Sequence, residues 1–416
     1  MSETLPIQPW MTHPATVAVM DALAHAGGDE AARFVGGCVR NALLGRDVDD
    51  IDIATILAPE AVTAALKAAD LKAVPTGISH GTITAVAMGR PFEITTLRRD
   101  VATDGRHAVV AFTTDWSQDA ARRDFRFNAI YADRAGRLFD PTGAGLDDLR
   151  AGAVVFVGKP AARIAEDALR IPRFFRFLAW YGHGEPDAAA LAACQEHRDL
   201  VRDLSAERVA KELLTLLAAQ DPRAAVRLMA RTGVLELILP EADEPARFEA
   251  LVKIETEMLF SEDALLRLAA LLPSDPAVGE ATARRLRLSN PQRERLTRAL
   301  DGEPPLVSWM SPRQTRQAVW RLGAEVFCDR VMLDWAGSDR PATTTQWRAL
   351  LAMAQSWPRP TFPLTGEEVV AAGVPRGPLV GKVLREVESW WIDNDFIDDK
   401  LSLVERLKSV AQGMAY

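Results

Sequence analysis

Two carboxylates two residues apart, Asp50 and Asp52, are the side chains of this sequence best suited to chemistry. They alternate with the apolar residues Ile51 and Ile53, as in a strand whose successive side chains point to opposite faces. Two carboxylates on one face repel each other and are costly to bury unless a cation lies between them. Mg²⁺ prefers oxygen ligands and commonly shares its coordination shell with substrate phosphates. The spacing therefore predicts a magnesium site that serves a phosphate-containing substrate.

A glycine turn precedes this carboxylate pair, in the segment FVGGCVRNALLGR at 34–46. Gly36 and Gly37 have no side chains, so the phosphates of a ligand can approach the backbone there. A short amphipathic segment at 39–44 follows, and its N–H groups and Arg40 would face that ligand. A glycine pair or an Asp-x-Asp motif alone is common in turns and solvated loops, but their combination in this order predicts a nucleotide site.

The segments GGCVRNALLGR and DIDIAT resemble the class II tRNA nucleotidyltransferases and bacterial poly(A) polymerases, within the polymerase-β-like superfamily. This resemblance implies an α+β fold, with an N-terminal polymerase-β-like nucleotidyltransferase palm followed by an all-α neck, body and tail. The palm would contain a small mixed or antiparallel sheet with helices. The implied segments are a palm or head at 1–152, a neck for base recognition at 153–205, an RNA-binding body at 206–302 and a tRNA-contacting tail at 303–416.

A predicted hairpin, GTITAVAM followed by a turn at 89–91 and FEITTLR, places Glu93 between two apolar residues of its second strand. Alternation alone also permits a solvent-facing edge residue at this position. Because the superfamily has a third acid on such a strand, the resemblance implies that Glu93 closes the metal site. The polar segment at 98–112 lacks a steady period and is predicted to be a mobile loop near the site.

The segment DAARRDFRFNAIY at 119–131 resembles a second family signature. Arg122 and Arg123 would bind triphosphate oxygens through their guanidinium groups, while Asp124 and Asn128 would hold the turn or the ribose. The alternative interpretation is a strand that merely begins with charged residues, since arginine pairs are common on protein surfaces.

The segment ARIAEDALRIPRFFRFLAW at 162–180 resembles a third signature, and its matching residues at threefold spacing are Asp167, Arg170, Arg173 and Arg176. At this spacing the four side chains lie close to one helical face, as they would in an ordinary charged amphipathic helix. Pro172 departs from the family pattern, and an interior proline costs a helix about 3 kcal/mol. We therefore expect the helix either to begin late, near Asp167, or to bend.

The residues that match the family's base-reading pair are Asp167 and Arg170. Cytosine and adenine both present an exocyclic amine beside an unprotonated ring nitrogen, so a carboxylate can accept from the first and a guanidinium can donate to the second. Uracil and guanine present the reverse pattern, which would leave buried groups unsatisfied at a cost on the order of a few kcal/mol each. The resemblance implies CTP and ATP as substrates, and this hydrogen-bonding pattern agrees with them.

Beyond Pro186 the sequence has helical periodicity, with helices predicted over 205–219 and 221–231. Arginines recur in two segments as candidate tRNA phosphate contacts, namely Arg223, Arg227, Arg231, Arg284, Arg285 and Arg287. A solvated helix face explains any single one of these residues equally well.

The chain has 416 residues and a formal net charge of −8, with 48% hydrophobic and 25% charged residues, as expected for a globular protein of several domains. A negative charge is unusual for a nucleic-acid enzyme, but residues 122–176 contain eleven Arg or Lys against seven Asp or Glu. The three cysteines are far apart and no HExxH motif occurs, which disfavours zinc sites. Without a long apolar run or a signal-peptide pattern, we expect a cytoplasmic protein with no membrane partner.

The sequence as a whole predicts a class II tRNA nucleotidyltransferase that adds or repairs the 3′-terminal CCA of tRNA without a template, using CTP and ATP. Two Mg²⁺ ions would be held by Asp50 and Asp52, with Glu93 as a candidate third ligand. The alternatives are a poly(A) polymerase, an enzyme that adds only CC or only A, and a non-catalytic RNA-binding protein on the same scaffold. A Rossmann dehydrogenase is disfavoured because GGCVRN lacks the GxGxxG pattern. The oligomeric state is unknown at this stage.

Overall fold

The computed structural model of the chain describes residues 3–104, 107–338, 344–396 and 399–413. The chain forms two compact units, which we call unit 1 (Met1–Pro240) and unit 2 (Glu241–Tyr416). The predicted helical body at 206–302 extends across the boundary between them. The division into palm, neck, body and tail therefore stays a prediction, since compactness alone does not define these four segments.

The strands of unit 1 are β1 (Ala32–Val35), β2 (Asp52–Thr55), β3 (Lys72–Gly77), β4 (Thr82–Ala87), β5 (Arg90–Thr96), β6 (Arg98–Asp104), β7 (His107–Phe112), β8 (Tyr131–Ala132) and β9 (Leu138–Phe139). Seven of them form one sheet in the order β3-β4-β5-β2-β1-β8-β9, while β6 and β7 pair with each other. In the larger sheet β2 and β5 are parallel, and the other neighbouring strands are antiparallel. The prediction of an α+β fold with a small mixed sheet is confirmed.

The centre of the larger sheet is apolar on one face. Ile53 of β2 and Ile94 of β5 are in register and are 1% and 0% exposed. Since side chains alternate along a strand, the residues that precede them in the two strands project from the opposite face.

The segment predicted as a mobile loop, 98–112, contains strands β6 and β7 instead, so that prediction was wrong. The two strands pair in antiparallel register from Arg98 opposite Phe112 to Asp104 opposite His107, with one irregularity between Asp100 and Ala102. A hairpin held by backbone hydrogen bonds does not require alternating apolar residues, which is why periodicity gave no strand signal. Residues 105 and 106 of the predicted loop lie outside the described residues.

The helices of unit 1 are α1 (Pro9–Thr12), α2 (Pro14–Gly27), α3 (Gly37–Leu43), α4 (Pro59–Ala68), α5 (Trp116–Ala121), α6 (Gly145–Ala151), α7 (Pro160–Glu166), α8 (Arg170–Tyr181), α9 (Ala188–Glu196), α10 (Ala206–Leu217), α11 (Arg223–Arg231) and α12 (Val234–Ile238). The helices predicted at 205–219 and 221–231 are confirmed as α10 and α11. An aromatic core fixes α8 in place, because the ring of Phe125 contacts those of Phe156, Phe174 and Phe177.

The helix that carries the third signature begins late, at Arg170, as one of the two alternatives anticipated. Asp167 ends α7 with extended dihedral angles, φ −151° and ψ 107°, so it does not share a helix with Arg170. Pro172 is the third residue of α8, within the first turn, where backbone N–H groups have no intrahelical acceptor. The carbonyl of Ala168 accepts instead from the N–H of Ile171, at 3.0 Å. Pro172 therefore costs α8 no hydrogen bond.

The regular elements of unit 2, within its described residues, are the helices α13 (Pro245–Met258), α14 (Ala264–Leu271), α15 (Pro276–Arg285), α16 (Asn290–Ala299), α17 (Pro312–Leu322), α18 (Ala324–Ala336), α19 (Thr344–Ser356), α20 (Gly366–Ala371), α21 (Pro378–Asp393) and α22 (Lys400–Gly413). Its C-terminal helices pack around an apolar cluster that includes Val383, Trp391 and Leu407. Across the described parts of both units, no helix combines the length and the apolar character that a membrane span requires.

Candidate active site

The glycine turn lies against three of the other predicted site residues. Gly36 joins β1 to α3 with φ +73°, a backbone conformation that favours glycine. A Cβ atom added to Gly36 would lie 3.7 Å from Oδ2 of Asp52 and 3.8 Å from Nη1 of Arg123. One added to Gly37 would lie 3.8 Å from Nη2 of Arg40. The turn therefore brings backbone, carboxylate and guanidinium groups together from three separate parts of the chain.

Asp52 and Glu93 occupy paired positions on neighbouring strands. The register of parallel β2 and β5 places them side by side, and Thr84 of β4 is paired with Glu93 on its other side. All three residues line the same cleft, so their side chains share one face of the sheet.

Asp50 also lines this cleft, but it lies before β2, which begins at Asp52. The prediction that both carboxylates stand on the strand was therefore wrong for Asp50. Two features explain the short strand. On one side β1 ends where the turn at Gly36 begins. On the other, the residue of β5 two positions before Glu93 is Pro91, which has no N–H to donate.

The charge around Asp52 is unbalanced. Burial, together with the negative charges of Glu93 and Asp50, raises the pKa of the Asp52 carboxyl to about 6, although Arg123 and Arg40 oppose the shift. A cation placed among these carboxylates would relieve both the burial cost and the repulsion. The donor set therefore fits an oxygen-preferring divalent ion such as Mg²⁺.

These carboxylates do not form a complete metal cage. Within the described ranges, no three or more His, Cys, Asp or Glu side chains are grouped so that they could hold an ion. Mg²⁺ ordinarily keeps several waters and binds one or two carboxylates together with substrate phosphates, so a partial set of protein ligands suits it.

The cleft that contains the carboxylates has a volume of about 680 Å³. Its walls include six of the predicted site residues, namely Arg40, Asp50, Asp52, Glu93, Arg173 and Arg176. The remaining predicted nucleotide-binding residues, all within the described residues, form no part of its walls. Helix α10, which the predictions did not include in the site, contributes Lys211, Glu212 and Thr215.

The arginine pair of the second signature is held by one buried carboxylate. Asp119, 1% exposed, accepts from Nε of Arg122 at 2.8 Å and from Nη2 of Arg123 at 3.0 Å. The hydroxyl of Tyr131 also donates to Asp119, at 2.7 Å. Burial alone would raise the pKa of Asp119, but Arg123, Arg122 and Tyr131 outweigh it and lower the pKa to about 2. Asp119 is therefore ionised and fixes both guanidinium groups.

Arg40 is buried among hydrogen-bond acceptors of the protein. Its Nη1 donates to Oδ1 of Asn128 at 2.6 Å, and its Nη2 donates to Oδ1 of Asn41 at 2.9 Å and to the Tyr181 hydroxyl at 2.7 Å. The guanidinium also lies over the Tyr181 ring, 4.2 Å from its centroid, and burial lowers the pKa of Arg40. Arg40 thus ties the glycine turn to the end of α8 as well as facing the cleft.

Asp124 links this network to Arg173. It accepts from Nε of Arg173 at 3.0 Å and from Nδ2 of Asn128 at 3.0 Å. Burial would raise the pKa of Asp124, yet Arg173, Asn128 and the Phe125 N–H lower it to about 2. Asp124 and Asn128 therefore hold the turn, which is one of the two predicted uses of these residues.

Arg173 and Arg176 both contact the carboxylate of Glu212, which lies on α10. Nε of Arg176 donates to Glu212 at 2.5 Å, and Nη1 of Arg173 lies 3.6 Å from the other oxygen of Glu212. Glu212 is 6% exposed, so this contact joins α8 to α10 in the interior of unit 1.

The predicted base-reading residues are engaged by other protein groups. Asp167 accepts from Nη2 of Arg208 at 2.9 Å, and its other oxygen accepts from the N–H of Leu169 at 3.1 Å. Arg170 donates to Glu166 at 2.7 Å and to the carbonyl of Arg122 at 2.8 Å. The second of these contacts places Arg170 next to the arginine pair. A nucleotide base would have to displace such contacts in order to be read by these two side chains.

The candidate RNA-binding arginines fall in both units. In unit 1, α11 carries Arg223, Arg227 and Arg231, of which Arg223 forms a two-point ion pair with Asp221 and the other two are exposed. The candidates in unit 2 are Arg284, Arg285 and Arg287. Arg284 is paired with Glu280 and Arg285 with Glu241, and Arg287 is exposed.

Sequence reasoning missed Asp119, Glu212 and Tyr181. Asp119 precedes the arginine pair by three and four residues, a helical spacing that could have indicated it. Glu212 and Tyr181 reach the site from distant parts of the chain, so no local spacing indicates them.

Comparison with known proteins places the chain among nucleotide-adding enzymes. Residues 32–155 match the family described as "Poly A polymerase head domain", and residues 185–244 match "Probable RNA and SrmB- binding site of polymerase A". The chain is 32% identical over 396 residues to the mouse protein "CCA tRNA nucleotidyltransferase 1, mitochondrial", covering 90% of this chain and 86% of the mouse protein. A "CCA-adding enzyme" of Levilactobacillus brevis is 29% identical over 430 residues, covering 97% and 98% of the two chains.

A solved structure is similar over nearly the whole chain. The Bacillus stearothermophilus CCA-adding enzyme in complex with CTP matches with a TM-score of 0.78 and 25% identity, covering 98% of this chain and 99% of that one. Together with the mouse relative, this similarity shows that the chain belongs to the family of CCA tRNA nucleotidyltransferases, or CCA-adding enzymes.

Proposed function

We propose that this protein adds CMP and AMP, taken from CTP and ATP, to the 3′ end of tRNA without a template. The observation that carries the proposal is the relationship to CCA tRNA nucleotidyltransferases over 90% of the chain, joined to a cleft that contains Asp50, Asp52 and Glu93. The same relationship supports tRNA and the two nucleoside triphosphates as partners. We keep the four predicted segments, with nucleotide addition in 1–152 and base recognition in 153–205, as part of this proposal.

Nucleotide addition needs two sets of groups, one that holds the metal ion and one that binds the triphosphate. Asp50, Asp52 and Glu93 would hold Mg²⁺, which supplies activation of the attacking 3′-hydroxyl and offsets the charge of the departing pyrophosphate. The amides of the glycine turn and Arg123, held by Asp119, would bind triphosphate oxygens close to Asp52. Positioning and charge neutralisation of this kind supply most of the catalysis in phosphoryl-type transfer.

Asp167 and Arg170 would select the base. Asp167 contacts Arg208 and Arg170 contacts Glu166, so base binding would exchange those contacts for hydrogen bonds to cytosine or adenine. The exchange is cheap for Asp167, because its ion pair is partly solvated and such pairs contribute about 0 to 1 kcal/mol.

The test is direct. The purified protein is incubated with Mg²⁺ and a tRNA that lacks CCA, with CTP, ATP or both, and the 3′ ends are sequenced. Addition of CCA only when both nucleotides are present supports the proposal. A long A tract would identify a poly(A) polymerase, CC alone or A alone a divided activity, and no incorporation a non-catalytic RNA-binding protein.

We also retain a cytoplasmic location as a proposal. Curated relatives of this chain include mitochondrial proteins, so imaging of the tagged protein in its own cells is the deciding measurement.

A further inference from the structure

Lys211 lies on α10 in the wall of the cleft that contains Asp52 and Glu93. Its side chain is exposed to the cleft and solvent. Across the described parts of the chain, no side chain or backbone group forms an ion pair or hydrogen bond with its ammonium group. The three N–H donors of this lysine are therefore available to a ligand.

The other cations of the same wall are engaged. Arg176 donates to Glu212, Arg173 donates to Asp124, and Arg40 donates to side-chain oxygens of the protein. A phosphate that enters the cleft would have to share these guanidinium groups with the protein acceptors that already hold them. Lys211 can bind the same phosphate without breaking a contact.

The charge of the cleft favours an additional cation. Asp50, Asp52 and Glu93 line the cleft, and their carboxylates repel a phosphate ester placed nearby. A lysine ammonium is a compact charge on a flexible stem, which suits a phosphate whose position changes as the RNA end grows.

We propose that Lys211 binds a phosphate group of the substrates in this cleft, and this inference rests on the proposed function. Two sources offer the same chemistry, the triphosphate of the incoming nucleotide and the sugar-phosphate backbone of the RNA 3′ end. The two are separated by measuring each ligand alone.

The experiment uses the full-length protein with Lys211→Ala, Lys211→Arg and, as matched control, Lys67→Ala. Lys67 is an exposed lysine of α4 in the same unit that forms no part of the cleft wall. Binding of CTP in the presence of Mg²⁺ is followed by calorimetry, and binding of tRNA lacking CCA is followed over a range of salt concentrations. Thermal unfolding verifies that each variant folds as the wild type does.

Lys211→Ala should lower the affinity for at least one of the two ligands about tenfold, as expected for the loss of a charge-assisted hydrogen bond. The affinities of Lys211→Arg and Lys67→Ala should stay near those of the wild type. Loss of CTP affinity alone would identify the triphosphate of the incoming nucleotide as the ligand of Lys211. Loss of tRNA affinity with a salt slope reduced by about one assigns the RNA backbone. Unchanged binding of both ligands, or an equal loss in Lys67→Ala, overturns the inference. Because neither arm requires turnover, a wild type that binds both ligands but adds no nucleotide would refute the proposed function and still decide the role of Lys211.

Discussion

Asp52 of β2 and Glu93 of β5 stand side by side in the parallel register at the centre of the larger sheet. The two strands are separated in the chain by α4 and by the hairpin that leads into β5, so the pairing depends on the completed sheet. Their mutual repulsion is part of what raises the pKa of Asp52 to about 6. The sheet thus holds a charge arrangement that is unfavourable in the absence of a bound cation.

Replacing Asp52 by Asn should abolish nucleotide addition without unfolding the protein. We expect activity to fall by at least about 1,000-fold, in keeping with the loss of a metal-binding carboxylate, and stability to stay level or to rise because a buried charge is removed. Incorporation of labelled CMP into tRNA lacking CCA and thermal unfolding measure the two effects. Asp49→Asn, an exposed neighbour outside the cleft wall, is the control and should retain activity. Substantial turnover by Asp52→Asn would remove the metal-site assignment.

Replacing Asp119 by Asn should loosen the arginine pair. The variant leaves the half-buried guanidinium groups of Arg122 and Arg123 without their shared carboxylate, and breaking a buried ion pair costs about 3 kcal/mol. We expect a lower unfolding temperature and a raised KM for both nucleotides. Asp147→Asn, which removes a mostly exposed ion pair with Arg150, is the control and should change stability by less than about 0.5 kcal/mol. Equal behaviour of the two variants would contradict the role of Asp119.

The stabilisation from Asp119 and Asp124 should disappear in acid. Both carboxyls have a folded-state pKa of about 2, below their ordinary value, so their contribution is full above about pH 4 and is lost as the pH falls towards 2. Each contributes about 2 kcal/mol at neutral pH by this linkage. The measurement is the difference in unfolding free energy between wild type and Asp119→Asn at several pH values. A difference that does not shrink between pH 4 and pH 2 would show that the Asp119 carboxyl titrates normally.

Replacing Asp167 by Ala should relax base selection more than it weakens tRNA binding. A carboxylate that accepts from the exocyclic amine disfavours UTP and GTP, so its removal should raise their relative use by about tenfold or more. Competition assays with all four nucleotides measure this ratio. Arg208→Ala frees Asp167 from its ion pair and is the companion variant, in which selection should be retained. An unchanged nucleotide preference in Asp167→Ala would refute base reading by this residue.

Replacing Arg227 and Arg231 together by Gln should weaken tRNA binding and flatten its dependence on salt. Both side chains are exposed on α11, and each phosphate contact contributes about one unit to the salt slope. Arg202→Gln, at an exposed arginine of the same unit that is paired with Asp199, is the control. Filter binding at several salt concentrations gives the slopes. If the double variant keeps the wild-type slope, this face of α11 does not contact RNA.

Much of the fold could be predicted because local signals decide it. Helices α10 and α11 occupy Ala206–Leu217 and Arg223–Arg231, close to the ranges 205–219 and 221–231 that helical periodicity predicted. The pairing of Asp52 with Glu93 agrees with a carboxylate on the neighbouring strand, which alternation and the family resemblance together suggested. The hairpin β6-β7 was missed because pairing through backbone hydrogen bonds does not require an alternating pattern of apolar residues.

The site was less predictable where its contacts join distant segments. Arg40 was expected to face a ligand, yet most of its donors bind Asn41, Asn128 and Tyr181, which lie up to 141 residues away. Glu212 likewise reaches Arg176 from another helix, 36 residues further along the chain. Spacing rules describe one element at a time, so they identify the donors of such a network but not their acceptors.

The proline in the first turn of α8 limits how α8 can join the segment before it. Since residue 172 has no amide hydrogen, α8 cannot be extended backwards by a regular helical bond to the carbonyl at 168. Residues 167–169 thus separate α7 from α8. Under the proposed base-reading role of Asp167 and Arg170, an exchange of cytosine for adenine would involve rotation of their side chains and no regular helical bond across this segment.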